Sequence, residues 1–145
     1  MQSDSRNYIM KKVGIGLLAG AIMLVVGMFI GQVFQFLFPL LKNEYQNQNL
    51  FRPWADSLMS IMFVQPFMVG IILAWIWDIT RGVLKGNTAI EKGLRFGFIY
   101  WIITIPGMFM SYSSFPISFI LVCSWSITIM GQALSAGIFF SKTLK

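Results

Sequence analysis

The sequence of 145 residues contains no histidine, one cysteine and only five acidic residues, and each shortage excludes a type of chemistry. Without histidine, neither a Ser-His-Asp triad nor a His-ligated zinc, di-iron or haem site can form. The lone Cys123 cannot form an intrachain disulfide or a CxxC pair, and its position inside an apolar run predicts an unreactive core thiol. We therefore expect no metal, no cofactor and no catalytic activity of the chain's own.

Charge of either sign is also scarce, since 11% of the residues are charged while 57% are apolar. A soluble domain carries about 25% charged and about 45–50% apolar residues. A compact chain of this size cannot hide so much apolar surface from water. The composition therefore excludes a soluble globular domain, a disordered chain and a disulfide scaffold, and it indicates a protein embedded in a lipid bilayer.

Three stretches without charge locate the membrane-spanning segments. They cover residues 13–41, 57–77 and 96–141 and are 29, 21 and 46 residues long. A helix needs about 20 residues to cross the hydrocarbon core, so the first two stretches hold one span each and the third holds two. The first stretch is about twice as long as the core of a signal peptide, which predicts that it remains as the first helix.

The string Ser111–Pro116 marks the break inside the third stretch. Proline is tolerated in the first turn of a helix, which predicts a turn at 112–115 and Pro116 at the start of the last span. Ser113 or Ser114 is the expected cap of that helix. The predicted fold is all-α, a four-transmembrane-helix bundle that forms a single membrane domain over residues 1–145. Its helices are expected at about 10–40, 57–80, 88–111 and 115–142.

Lysine and arginine are divided unequally between the two ends of this bundle. Nine of the 11 fall on the side of the termini, namely Arg6, Lys11, Lys12, Arg81, Lys85, Lys92, Arg95, Lys142 and Lys145. The other side has Lys42 and Arg52. Because cytoplasmic segments are enriched in basic residues, we expect both termini in the cytoplasm of a bacterium or archaeon, with the chain in the plasma membrane. The net charge of +6 is then a signal of orientation, and no nucleic-acid partner is expected.

The first helix carries glycines along one side, and they form two GxxxG units: Gly16, Gly20, Gly27 and Gly31. Small residues let helices approach closely in a membrane, where apolar side chains alone do not drive association. The favoured interpretation is packing within the chain. The alternative is a face for a homodimer.

Four glutamines form a candidate polar lining inside the membrane: Gln32, Gln35, Gln65 and Gln132. An apolar site with a few well-placed amides would suit a lipid-like ligand. Their depth weakens this interpretation, because Gln132 is expected in the inner half of the bilayer and the other three in the outer half. Ordinary hydrogen bonds between helices are the alternative.

Two unusual strings, Phe51–Ser57 and Ser111–Pro116, reach the same membrane face in this topology. Arg52 and Asp56 are placed to pair across the start of the second helix, and Asp56 also suits the N-cap of that helix. One interpretation is thus a helix cap beside an aromatic belt. The other is an external binding site, with Arg52, Trp54, Asp56, Tyr112 and Ser113 as its candidate residues.

On the side of the termini, two motifs have structural interpretations. Asp78 and Arg81 are three residues apart and are expected to pair on one helical face. Thr88 and Glu91 have the spacing of a capping box, which predicts the start of the third helix. No acidic residue then lies in the middle of a span, which argues against an antiporter that depends on a central carboxylate.

The strings FRPWADSLMS at Phe51–Ser60 and IPGMFMSYSSFPIS at Ile105–Ser118 resemble a family of small, uncharacterised prokaryotic membrane proteins with four predicted spans. The resemblance covers most of the chain. It implies that the two strings are features shared with that family, and it implies no substrate, cofactor or catalytic residue.

The expected function is that of a non-catalytic membrane subunit. It would bind lipid or a small ligand, take part in transport, or join a membrane partner. The first alternative is a homo-oligomeric channel or carrier assembled through the glycines of the first helix. The second is a membrane enzyme whose external site uses Arg52, Asp56 and Tyr112.

Overall fold

The structure, a computed structural model, describes residues 2–144, with side chains from residue 6 onward. Lys145, one of the basic residues that orient the chain, lies outside the described residues. The elements in chain order are α1 (Gln2–Leu37), α2 (Leu40–Tyr45), a 3-10 turn (Ser57–Ser60), α3 (Ile61–Thr80), α4 (Ala89–Ser114) and α5 (Phe119–Thr143).

Four segments of the described chain are long and apolar enough to cross a membrane: Arg6–Leu37, Ser57–Thr80, Ala89–Ser114 and Phe119–Thr143. They correspond to α1, to α3 with the turn before it, to α4 and to α5. The predictions of a helical fold and of four apolar helices are confirmed. By length and composition these four segments are candidate membrane spans, which indicates a multi-pass membrane protein.

The four long helices pack as neighbours in the order α3, α1, α5, α4. The outer helices α3 and α4 meet at one end, where the rings of Trp77 and Phe96 lie edge to face with centroids 5.3 Å apart. A buried cluster there joins all four helices and includes Trp77, Phe96, Ala19 and Phe140. We call this the terminal end, because α1 begins there and α5 ends there. The opposite end is the loop end.

Glycine brings α1 and α3 into backbone contact. A Cβ atom added at Gly16 would lie 2.5 Å from the Cα of Ile71, and one added at Gly20 would lie 2.5 Å from the Cα of Phe67. Gly70 of α3 faces the backbone of the same two glycines. These positions leave no room for a side chain, so the first of the two predicted GxxxG units packs against α3.

A second seam joins α4 to α5, and the sequence analysis did not single it out. Gly93 lies against the carbonyl of Gly137, and Gly97 lies against the carbonyl of Ala133. All four residues are buried. The α4–α5 hairpin therefore uses the same close approach as the α1–α3 pair, with two glycines one turn apart on its first helix.

The packing of α1 against α5 includes a hydrogen bond. The side-chain amide of Gln132 donates to the carbonyl of Met23 over 2.9 Å. Gly27 lies beside it, and a Cβ at Gly27 would collide with the Gln132 amide. Gly31, the last glycine of the second GxxxG unit, has open space around the position of its Cβ.

Helix α1 begins at Gln2 rather than near residue 10, and two further boundaries differ from the predicted ones. At the first, α1 ends at Leu37 rather than near residue 40, and α2 begins at Leu40 after Pro39. Proline disfavours the helical conformation of the residue before it, here Phe38, which accounts for the break.

At the second place, the predicted turn at 112–115 and the predicted caps are wrong. Helix α4 continues through Ser113 and Ser114, and Ser118 caps α5 by accepting the N–H of Leu121. Pro116 lies in the loop rather than in the first turn of α5. The cause is again proline, because Phe115 precedes it and takes an extended conformation with φ −119° and ψ 141°.

The two other predicted caps are confirmed. Asp56 accepts the N–H of Leu58 at the start of the 3-10 turn, and Thr88 accepts the N–H of Glu91 at the start of α4. The carboxylate of Glu91 reaches back to the N–H of Asn87 over 2.8 Å, one residue before the cap.

Replacing Gly20 by leucine tests the α1–α3 seam. We expect Gly20→Leu to lower the free energy of unfolding by about 3 kcal/mol, the upper end for overpacking, because the new Cβ meets the α3 backbone. Thermal unfolding in detergent, followed by circular dichroism, measures the change. Gly14→Leu is the matched control, since Gly14 lies on the same helix with nothing near the position of its Cβ. Equal melting temperatures for the two variants would contradict this packing.

Candidate functional site

At the loop end, α2 is fastened to the start of α5. The carboxylate of Glu44 accepts two hydrogen bonds from Ser118, one from the backbone N–H at 2.6 Å and one from the hydroxyl at 2.7 Å. The residues lie 74 positions apart in the chain. Glu44 thus satisfies donors at the beginning of α5 that have no partner within that helix, and it fixes the position of the preceding loop.

Aromatic side chains continue this contact. The indole N–H of Trp125 donates to the hydroxyl of Tyr45 over 2.7 Å. Phe51 packs against both rings, with centroid distances of 5.6 Å to Tyr45 and 6.2 Å to Trp125. Burial raises the pKa of the Tyr45 hydroxyl above its ordinary value, and the hydrogen bond from Trp125 opposes that rise. The loop after α2 is therefore seated on α5 by a packed aromatic group.

Arg52 and Asp56 form an ion pair at the end of this loop, with 2.9 Å between the guanidinium and one carboxylate oxygen. The other oxygen of Asp56 accepts the N–H of Leu58 over 2.9 Å. The Leu58 N–H, and after it the Arg52 guanidinium, hold the pKa of the Asp56 carboxyl below its ordinary value. The side chain of Asp56 therefore performs both of the predicted roles at once, the ion pair and the cap.

A surface cavity of about 200 Å³ opens between the aromatic group and the ion pair. We call it the loop-end cavity, and its walls are Tyr45, Gln46, Gln48, Phe51, Arg52, Pro53 and Trp54. Trp54 is 60% exposed. Cavities that hold drug-sized ligands measure about 300–1,000 Å³, so this one has room for a smaller molecule.

Two of the five candidate residues of the external site, Arg52 and Trp54, line this cavity, and Asp56 joins them through its ion pair. The remaining two belong to the corner between α4 and α5. Tyr112 packs edge to face on Phe119 with centroids 5.8 Å apart, and the hydroxyl of Ser113 donates to the carbonyl of Met110.

The sequence analysis missed the other walls of the cavity. Tyr45, Gln46 and Gln48 belong to a stretch that carries two aromatic residues and several amides between Glu44 and Trp54. That composition was the available signal, because aromatic faces with amide donors and acceptors are typical of small-ligand sites. The contact that folds the stretch over α5, from Glu44 to Ser118, is not visible in the local pattern.

The four glutamines of the predicted lining have different surroundings. Gln32 and Gln65 are exposed, Gln35 is half-buried, and Gln132 bonds to Met23 of α1. Within the described residues these side chains share no hydrogen-bond partner, so a common polar lining stays a prediction.

At the terminal end, Asp78 of α3 is the centre of a charged cluster. Its carboxylate lies 2.5 Å from the ammonium of Lys12 and 3.3 Å from the guanidinium of Arg81. The hydroxyl of Tyr8 donates to the same carboxylate over 2.7 Å. The predicted pair of Asp78 and Arg81 is present, but Lys12 is the closer partner and comes from a different helix.

The same cluster holds the end of α5. The carbonyl of Leu144 accepts the indole N–H of Trp77 at 3.1 Å and a guanidinium N–H of Arg81 at 3.0 Å. Arg81 therefore connects Asp78 to the last turn of α5. Because Lys12 comes from α1, three of the four long helices are tied together at this end by charged hydrogen bonds.

Removing the Ser118 hydroxyl tests how the loop end is fastened. We expect Ser118→Ala to lower the free energy of unfolding by about 1–2 kcal/mol, because α5 loses its cap and Glu44 loses a donor. Ser113→Ala is the control, since the hydroxyl of Ser113 bonds to a carbonyl of its own helix, and a change within about 0.5 kcal/mol is expected. Chemical unfolding in mixed micelles measures both. A Ser118→Ala protein as stable as the Ser113→Ala protein would show that the cap contributes nothing.

No protein-family model matches the chain, and no curated protein or solved structure gives a significant match. The resemblance of Phe51–Ser60 and Ile105–Ser118 to a four-span prokaryotic family therefore stays a prediction.

Proposed function

We propose that the chain is a non-catalytic subunit of a bacterial or archaeal plasma membrane that binds a small ligand at the loop-end cavity. Both termini lie in the cytoplasm in this proposal, so the cavity opens to the outside. The observation that carries the proposal is the cavity itself, which is built from side chains that the loop holds in place on α5.

The orientation rests on the basic residues. Within the described chain, eight of the nine basic residues assigned to the cytoplasm lie in the terminal half of a long helix or in the α3–α4 loop. The loop end has Lys42 and Arg52, and the ion pair with Asp56 offsets the charge of Arg52. Short loops follow the positive-inside rule most closely, and the loop at 81–88 is short.

The walls of the cavity define the chemistry of the ligand. Tyr45, Phe51 and Trp54 offer aromatic surface, while Gln46 and Gln48 offer donors and acceptors. Because Arg52 is already paired with Asp56, the site has no strong preference for an anion. The fitting ligand is a small, uncharged or weakly charged molecule with a flat or apolar part and groups that form hydrogen bonds.

The titratable groups of the site favour binding over catalysis. The raised pKa keeps the hydroxyl of Tyr45 protonated, and the lowered pKa keeps Asp56 ionised in its pair with Arg52. Neither group changes its protonation near neutral pH, whereas an efficient general acid or base has a pKa close to the working pH.

One further observation favours a membrane partner. The first turns of α3 are exposed on every side, from Ile61 to Gln65, and Gln65 carries an amide within an apolar span. An amide in hydrocarbon gains from a hydrogen bond to another helix. A second subunit covering this part of α3 is consistent with a role as one component of a complex.

Labelling of single cysteines tests the orientation. In a Cys123→Ala background we expect Asn49→Cys to react with a membrane-impermeant maleimide in intact cells. Asn87→Cys is expected to react only after the cells are permeabilised. Both asparagines are exposed, so the two sites differ mainly in the membrane side that they report. The opposite pattern would place the cavity in the cytoplasm and contradict the proposal.

Native mass spectrometry of the purified protein tests ligand binding. We expect a co-purified small molecule whose occupancy falls about tenfold or more in Trp54→Ala, because losing an aromatic wall of the cavity costs at least about 1–2 kcal/mol of binding. Tyr112→Ala is the matched control, an exposed aromatic at the same end that does not line the cavity, and it should keep the ligand. Loss of the ligand in both variants, or retention in both, would contradict binding at this cavity.

A further inference from the structure

The terminal end has a pocket of its own, with a volume of about 70 Å³. It lies where the first turns of α1 meet the last turns of α3 and α5. Its walls include Tyr8, Lys11, Lys12, Asp78, Arg81 and Leu144. These residues take no part in the proposed ligand binding at the loop end, because the two pockets lie at opposite ends of the bundle.

The charges around this pocket are unbalanced. Lys11, Lys12 and Arg81 face a single carboxylate, that of Asp78, which leaves a surplus of two positive charges. The C-terminal ends of α3 and α5 each contribute about half a negative charge through their helix dipoles. About one positive charge therefore remains without compensation, and an anion is the occupant that would balance it.

Arg81 and Lys11 also have N–H donors that are not used within the described residues. Arg81 directs one nitrogen to Asp78 and another to the carbonyl of Leu144, and a guanidinium carries five N–H groups. Lys11 is exposed and forms no ion pair within the described residues. The ammonium of Lys12 is held between the rings of Tyr8 and Trp75, at 4.1 and 4.5 Å from their centroids. Guanidinium and ammonium groups in this arrangement match the oxygens of a phosphate.

The depth of the pocket points to a lipid as the source of that phosphate. Tyr8 and Lys12 lie in the first turns of one apolar span, and Asp78 lies in the last turn of another, so the pocket is at headgroup level. Ile79 and Val83, which are close in sequence to Asp78 and Arg81, are apolar and are 77% and 80% exposed. Such a surface can contact acyl chains beside a bound headgroup. We propose that this pocket binds the phosphate group of an anionic phospholipid.

Retention of single lipids tests the proposal. The purified full-length protein is equilibrated with phosphatidylglycerol or phosphatidylcholine in mixed micelles, and native mass spectrometry counts the lipids that remain bound. We expect one phosphatidylglycerol to be retained in preference to phosphatidylcholine. Lys11→Gln and Arg81→Gln should each weaken this binding about fivefold, as expected for the loss of one basic contact at the membrane surface.

Matched controls separate the pocket from the general positive charge of this end. Lys85→Gln and Lys142→Gln each remove one exposed basic residue at the terminal end without touching the pocket, and they should change binding less than about twofold at physiological salt. Lys11→Gln keeps the test valid if Arg81→Gln disturbs the fold, because Lys11 is exposed and Arg81 holds Leu144.

Three results would overturn the proposal. Equal retention of the two lipids would show that the phosphate site has no preference for an anionic headgroup. An equal loss in the control variants would show diffuse attraction rather than a site. Binding of inorganic phosphate in the absence of any retained phosphatidylglycerol would assign the pocket to a soluble anion instead of a lipid.

Discussion

Helices surrounded by lipid gain little from burying one apolar side chain against another, because the lipid chains are equally apolar. Close backbone approach supplies the contact instead. Because Gly16 and Gly20 have no side chain, the backbone of α3 packs directly on α1. Gly93 and Gly97 allow the same close packing of α5 on α4. The position of every other feature depends on these two seams, since they set the distance between the helices whose ends carry the polar clusters.

The two ends of the bundle are fastened by different chemistry. At the terminal end, charged groups from α1 and α3 converge on Asp78, and Arg81 extends the cluster to α5. At the loop end, Glu44 carries the one carboxylate that crosses between elements, and aromatic packing does the rest. The loop-end cavity lies in the loop that packs on α5 there.

Much of the fold follows from the sequence, because the spans are delimited by charge and by caps. The gaps between charged residues place all four apolar helices, and Asp56 and Thr88 mark two of the starts correctly. The last start was misplaced, because a serine suited to cap a helix occurs at 113, 114 and 118 alike. The extended backbone of Phe115 before Pro116 determines which serine caps α5, because a helix cannot continue through that residue.

The site was less predictable, since its key contacts join distant parts of the chain. Arg52 and Asp56 are four residues apart, so their pairing follows from local spacing. Glu44 meets Ser118 and Lys12 meets Asp78 across different helices, and only the packing of those helices brings them together. Tyr112 and Ser113 lie at the same end of the bundle as the cavity, but they belong to the corner between α4 and α5. Membrane topology predicts at which end of the bundle a residue lies, and it does not predict which residues it contacts.

The order of packing divides the molecule into two halves that are contiguous in sequence. Each half is an antiparallel hairpin with its own glycine seam, α1 with α3 and α4 with α5, and the contact between α1 and α5 joins them. During synthesis the first hairpin can form before α4 has left the ribosome. The joint between the halves, with Gln132 reaching Met23, must wait for the last helix. Formation of the first hairpin and completion of the bundle can therefore be separate events, and the α3–α4 loop is the boundary between the two halves.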